Sequence, residues 1–171
     1  MKNTTSQDLI ITLQQMYGFH TQLFFNALNG LSDADAHNRL GTPANHIAWI
    51  AGSMVYQRQV LGNALGSTEK QTSEWLFKGT ANEGHKSLQE GVRYPALAEY
   101  NADWKRLSDA LMEKLEQLSA KQLKLPDPFA MPEGDFTLQD TLVFCLDREA
   151  YCTGQIGLYR RLLGHPAMKW N

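Results

Sequence analysis

A chain of 171 residues with 43% hydrophobic and 20% charged side chains has the make-up of a globular protein with one sizeable core. A net charge of −2 gives no electrostatic basis for holding nucleic acid or an anionic membrane. No apolar run approaches the roughly 18 residues that span a bilayer, and MKNTTSQDLII lacks the apolar centre and small-residue cleavage site of a signal peptide, so a single cytoplasmic domain over 1–171 is expected.

Apolar residues recur at helical spacing in four segments. The first runs from about Ser6 to Leu28, capped by Thr5 or Ser6, with Leu9, Leu13, Met16, His20, Leu23/Phe24 and Ala27 on one face. His20 is the polar member of that stripe, either a core-edge histidine bonded to a neighbour or a pocket group. The second helix is announced by Thr42-Pro43, an N-cap followed by a proline in the first turn, and continues to about Leu65. Ile47, Ile50/Ala51, Met54, Leu61 and Leu65 mark its core face, and His46 and Ser53, seven apart, share a neighbouring side. Pro95 opens the third in the same way, with Leu97, Tyr100, Trp104, Leu107, Leu111, Leu115 and Leu118 as its stripe. Thr137 caps the fourth, with Asp140 three residues on. Its stripe is Leu138, Leu142, Cys145, Glu149, Cys152, Ile156, Tyr159 and Leu163, and Gly164-His165-Pro166 ends it.

Two connections are long. Residues 66–93 are polar with Trp75, Leu76 and Phe77 embedded, and can cross the whole bundle, so the second and third helices can run parallel. Residues 119–136, with three prolines and Gly134, form a second irregular link. Neither repeats nor a Gly-rich phosphate loop interrupt the pattern, and strand-type alternation is scarce. The expected fold is all-α, a four-helix bundle with long crossover connections. On one helix, Cys145 and Cys152 stand roughly 10 Å apart, beyond the ~7 Å reach of a disulfide, so both thiols should be free.

WIAGSMVYQR on the second helix and REAYCTGQIGLYRRLLGHP on the fourth resemble the two signature regions of the DinB/YfiT-like family. RYPALAEYNADWKRLSDAL resembles that family's third helix, and order, spacing and length agree over essentially the whole chain. The resemblance implies a four-helix bundle holding nickel or zinc near one end through three histidines. One would come from the second helix and two, four apart, from the fourth, where i and i+4 share a face. Metal-dependent hydrolases and thiol-dependent transferases occur among such relatives. In this chain those three positions fall on Ser53, Arg148 and Cys152. Serine is a poor ligand for such metals, and a guanidinium, always protonated, is none. No metal and no other cofactor is therefore expected. The alternative is a divalent metal, nickel or zinc, in a rearranged site built from His20, Cys152 and Glu149.

Without a metal, Arg148 must be paired or must bind an anion, because a buried guanidinium is costly alone. Asp103, Glu99, Glu149 or some other acid would be the partner; an anion pocket would combine Arg148 with Ser53 and His20 or Tyr56. Cys152, one turn from Arg148, is the candidate nucleophile, its thiolate favoured by the cation and His46 or His20 serving as base. Candidate ligand-binding residues are thus Ser53, Arg148, Cys152, His20 and His46. Gly154 in the GQI element is expected to permit close helix packing, with Gln155 bonding backbone or orienting the pocket. Arg160 and Arg161 read as solvated or dipole-compensating charges, and His37, His85 and His165 as surface residues. Trp49, Trp75 and Trp104 read as packing residues, and Trp75 with Phe77 alternatively as a cover for the pocket mouth or for a partner's face.

Two functions follow. One is a pocket that binds a small molecule or anion through Arg148; the other is a hydrolase or thiol transferase rebuilt around Cys152. The resemblance also implies a homodimer, to which the tail LLGHPAMKWN would contribute. Nucleic-acid and membrane partners are not expected.

Overall fold

Helical periodicity sets the architecture seen in the computed structural model, which describes residues 6–79, 85–131 and 134–170. Four long helices, α1 (Ser6–Leu28), α3 (Ile47–Ala64), α4 (Leu97–Glu116) and α5 (Leu138–Leu162), form a bundle, and a short α2 (Asp33–His37) joins α1 to α3. Among the described residues the only β-pairing is two isolated bridges, Lys78 with His85 and Pro126 with Thr137. Among the described residues no helix is long and apolar enough to cross a membrane.

Around the bundle each helix has two close neighbours: α1 and α3 each pack on α4 and α5, while α1 faces α3, and α4 faces α5, across the diagonal. The core gives the directions. One apolar cluster takes Ile10, Leu13 and Tyr17 from the start of α1, Leu142 and Cys145 from the start of α5, but Leu61 and Leu111 from the later parts of α3 and α4. The other takes Phe24 and Ile156 from further along α1 and α5, and Ile47, Ile50 and Tyr100 from the starts of α3 and α4. Thus α1 and α5 run one way and α3 and α4 the other. The parallel arrangement expected of α3 and α4 is present, and residues 66–93 carry the chain back along the bundle.

That return path is tied down. Gln59 on α3 accepts from the backbone N–H of Gln71 (2.5 Å) and donates to Glu74 (2.6 Å), while Asp103 on α4 accepts from Thr72. Arg106 bonds Glu69, the Lys70 carbonyl and Asp103. Phe77 is fully buried beside Tyr100, which Gly52 permits. A Cβ there would meet two Tyr100 ring atoms at 2.7 Å and Phe77 Cζ closer still.

Between the two apolar clusters lies a polar layer. Arg58 on α3, 1% exposed, pairs with both oxygens of fully buried Glu149 on α5 at 2.7 and 2.8 Å. Its remaining N–H groups reach Thr21 Oγ1 and the Tyr17 carbonyl on α1 and Ser108 Oγ on α4. Its face stacks on Trp104, 3.9 Å from the ring centroid. All four long helices therefore contribute to one layer.

Several local expectations are corrected. The buried stripe of α1 is Ile10, Leu13, Tyr17, His20, Phe24 and Ala27, with Met16 exposed, because 3.6 periodicity favours the row through Tyr17. Thr5 lies outside the described residues. α3 starts four residues later than Thr42-Pro43 implies: His46 is the N-cap, its Nδ1 accepting from the Trp49 N–H at 3.0 Å, while Thr42 donates to the Arg39 carbonyl. Pro95 precedes the N-cap Ala96 rather than occupying the first turn. Thr137 and Asp140 do begin α5, with Asp140 accepting from both the N–H and the hydroxyl of Thr137. α2 was signalled by Ser32-x-x-Asp35, which closes a reciprocal cap. Gly154 has open space where a Cβ would be; the close approach belongs to Gly52.

Arg160 is buried rather than solvated. It donates to the carbonyls of Ala27 (2.9 Å) and Asn29 (2.6 Å), closing the C-terminal end of α1, and to Pro166. The tail beyond α5 packs back on its own bundle, with Met168 against the core and Trp170 stacked on Phe19, although Trp170 stays 66% exposed. His165 reaches Asp35 on α2 at 3.2 Å, and half-buried His37 contacts the carbonyls of Asp33 and Tyr94.

Candidate functional site

Where α3 and α5 run side by side, Ser53 and Gln57 occupy successive turns of α3 and face Arg148 on α5. The Arg148 guanidinium donates to Gln57 Oε1 at 2.6 Å through Nη1 and to Ser53 Oγ at 3.0 Å through Nη2. Nη2 also lies 3.2 Å from His85 Nδ1. Gln57 is itself held, its amide donating to the Cys145 carbonyl at 2.8 Å. Every one of these partners is neutral. The expected carboxylates are engaged elsewhere: Glu149 by Arg58, Asp103 by Arg106 and Thr72, and Glu99 by the Ala96 N–H. Among the described residues no acid pairs with Arg148.

Arg148 opens into a cleft of about 680 Å³ between α3, α5 and the two irregular connections. Tyr56, Val60, Phe129 and Phe144 make its walls, with Lys78, His85 and Arg148 as its basic side chains. The Lys78–His85 bridge, supported by the Lys86 N–H bonding the Phe77 carbonyl at 2.9 Å, sets Lys78 opposite His85. His85 packs edge-on against Tyr56, with centroids 5.0 Å apart. Burial, aided by the Arg148 charge, lowers the His85 pKa to about 3, so the imidazole is neutral at physiological pH. Its Nδ1 faces a donor that is always protonated, so Nδ1 accepts and the proton sits on Nε2.

The sequence model of the DinB superfamily matches residues 16–156, a span that takes in α3 and α4 whole, most of α1 and α5, and this cleft. The chain belongs to the DinB superfamily. No curated protein matches the sequence. In this DinB bundle, the residues at the positions that the resemblance assigns to metal ligands do not fit a metal. Ser53 Oγ accepts from a guanidinium there, and Arg148 supplies positive charge where a metal needs lone pairs. The rearranged alternative does not assemble either. His20 Nδ1 lies 3.3 Å from Glu149 Oε2, but both Glu149 oxygens already hold Arg58. Among the described residues no three His, Cys, Asp or Glu side chains gather as a metal-holding group.

The remaining candidates separate. Cys152 is 5% exposed and belongs to the apolar core one turn beyond Arg148. Burial pushes its thiol pKa up, and the opposing pull of Arg148 does not reverse this, so the cation does not produce the expected thiolate. Cys145 lines the cleft, and burial drives its thiol up to about 12. His46 contacts the Trp49 N–H, His37 and Tyr94 at the start of α3, about 10 Å along the axis from Ser53. Burial followed by the charge of His37 lowers its pKa to about 4. His20 belongs to the polar layer with Glu149. Trp75 lies outside this cleft and Phe77 inside the core, so they do not cover the mouth.

Gln57, Lys78, Phe129 and Phe144 are cleft residues that sequence reasoning passed over, and His85, expected at the surface, is part-buried against Arg148. Gln57 was detectable, four residues after Ser53 and so on the same helix face. His85 carried no local signal, because its place depends on the path of the crossover.

Both thiols are expected to resist alkylation. Iodoacetamide at pH 7.5 should label Cys145 at least ~100-fold more slowly in the native protein than in the unfolded chain, and Cys152 also more slowly. Time-resolved peptide mass spectrometry measures this, and native labelling of Cys152 faster than in the unfolded chain would mean that its thiolate is stabilised.

Proposed function

We propose that this DinB-superfamily chain is a small-molecule binding protein that holds an organic anion in the α3–α5 cleft, with Arg148 as the anchor. The observation carrying this reading is the Arg148 guanidinium, part-buried and fixed by three neutral side chains, with no carboxylate paired to it among the described residues. A cation removed from water in this way is stabilised by any anion that reaches it. The Ser53 and Gln57 contacts fix the plane of the guanidinium before a ligand arrives, which reduces the ordering cost of binding.

Thermal unfolding with sodium benzoate, at constant ionic strength set with chloride, tests the reading. Benzoate at ten times its Kd should stabilise by about 1.4 kcal/mol, a rise of ~3–6 °C for a chain of this size. Arg148→Met should remove the rise. Affinity should stay flat from pH 5 to 8, because Arg148 remains charged and His85 remains neutral throughout. A rise that survives in Arg148→Met, or that benzyl alcohol matches, would overturn the assignment.

A further inference from the structure

We infer that the anion is an amphiphile, a single carboxylate carrying an apolar tail, bound with its head at Arg148 and its tail along Val60, Phe129 and Phe144. This rests on the anion reading above and adds the chemistry of the rest of the ligand.

The head end of the cleft is rich in donors. Beyond the Nη hydrogens given to Ser53, Gln57 and His85, Arg148 offers its Nε–H and its charge, and the Lys78 ammonium and the Nε2–H of His85 are further donors among the described lining residues. The nearby acceptors are committed: Ser53 Oγ, Gln57 Oε1 and His85 Nδ1 each face Arg148, and the Cys145 carbonyl takes the Gln57 amide. Among the described lining residues only the Tyr56 hydroxyl can play either part. A group that only accepts is matched here, whereas a protonated acid, an amide N–H or an alcohol brings a proton with few places to go.

The other end asks for carbon. Val60, Phe129 and Phe144 supply no polar side-chain atom, and Phe144 is 49% exposed, so one wall of the cleft is an uncovered aromatic ring. A volume of about 680 Å³ lies within the range of pockets for organic molecules and far exceeds one inorganic ion. Each methylene taken from water is worth about a fourfold gain in affinity, so three of them on this wall give ~60-fold.

Calorimetric titration with octanoate, acetate, inorganic phosphate and 1-octanol separates the parts. Octanoate should bind about 50-fold or more tightly than acetate. Arg148→Met should abolish binding of both, and Phe144→Ser should weaken octanoate ~5-fold or more while leaving acetate unchanged, with circular dichroism confirming that each variant is folded. Octanoate and acetate of equal affinity, both lost in Arg148→Met, would overturn the apolar-tail inference and leave the anion reading standing. Phosphate binding more tightly than octanoate would do the same. Octanol matching octanoate, with neither sensitive to Arg148→Met, would overturn the anion reading. Failure of all four to bind would overturn both.

Discussion

Glu149→Gln is expected to cost about 3–5 kcal/mol of folding stability, the largest effect of any single substitution considered for this chain. The change removes the charge opposite Arg58 and leaves a guanidinium, 1% exposed, among Trp104, Tyr17 and apolar side chains. Thr21, Ser108 and the Tyr17 carbonyl still accept its N–H groups, but none carries charge. Urea unfolding of the two proteins measures the difference. The paired variant Arg58→Met/Glu149→Leu should recover most of the loss, because removing both charges also removes the desolvation cost. A loss below ~1 kcal/mol in the single variant would show that the pair contributes little.

The same groups set an acid profile. Burial alone would raise the Glu149 pKa; Arg58, with a smaller contribution from His20, more than reverses this and holds it below the ordinary glutamate value of about 4.3. A carboxyl depressed on folding gives stability that is complete above its unfolded pKa and is lost as the pH falls through the folded one. His85 and His46 have folded pKa values of about 3 and about 4, below the unfolded value of about 6.5. The unfolded chain therefore takes up protons first, and stability falls as the pH drops below about 6.5. Acid unfolding should thus steepen in two overlapping stages, the histidines acting between about pH 6.5 and 3 and Glu149 joining below about 4.3.

Gly52→Ala should cost about 1–3 kcal/mol, although alanine is the better helix former by ~1 kcal/mol. The added methyl would press on the Phe77 and Tyr100 rings, both 0% exposed, so neither ring has free space into which to swing. Moving Phe77 would also disturb the crossover beside Lys78 and His85. Anion affinity should therefore fall together with stability, whereas Gly154→Ala, into open space, should leave both within ~0.5 kcal/mol of the parent or better. Denaturant titration of the two variants in parallel decides the matter.

The four long helices were legible because the core repeats at helical spacing in each. The α4 stripe from Leu97 to Leu115 is buried throughout. The start of α3 was misread because Thr-Pro is a strong local cap signal, and nothing nearby in sequence says that His46 caps better. The site was half legible. The helix register of the resemblance placed Ser53 and Arg148 together, and they touch. The nature of Arg148's partners was not legible: Arg58 lies in the same helix as Ser53, and only the three-dimensional layer reveals that it claims Glu149, leaving Arg148 to neutral groups. His85 and Lys78 reach the cleft through a connection whose path no periodicity describes.

The directions of the helices carry a kinetic consequence. Helices consecutive in sequence are either diagonal or parallel here, so none of the long helices can fold back on its successor as a simple hairpin. An emerging chain therefore has no early two-helix unit in which to shelter its leucines. The pair α1 and α5 closes only when the last quarter has been made. Folding should be slow for an all-helical protein of this length, governed by distant encounters rather than by helix growth, and a fragment lacking α5 should remain loose and prone to aggregate.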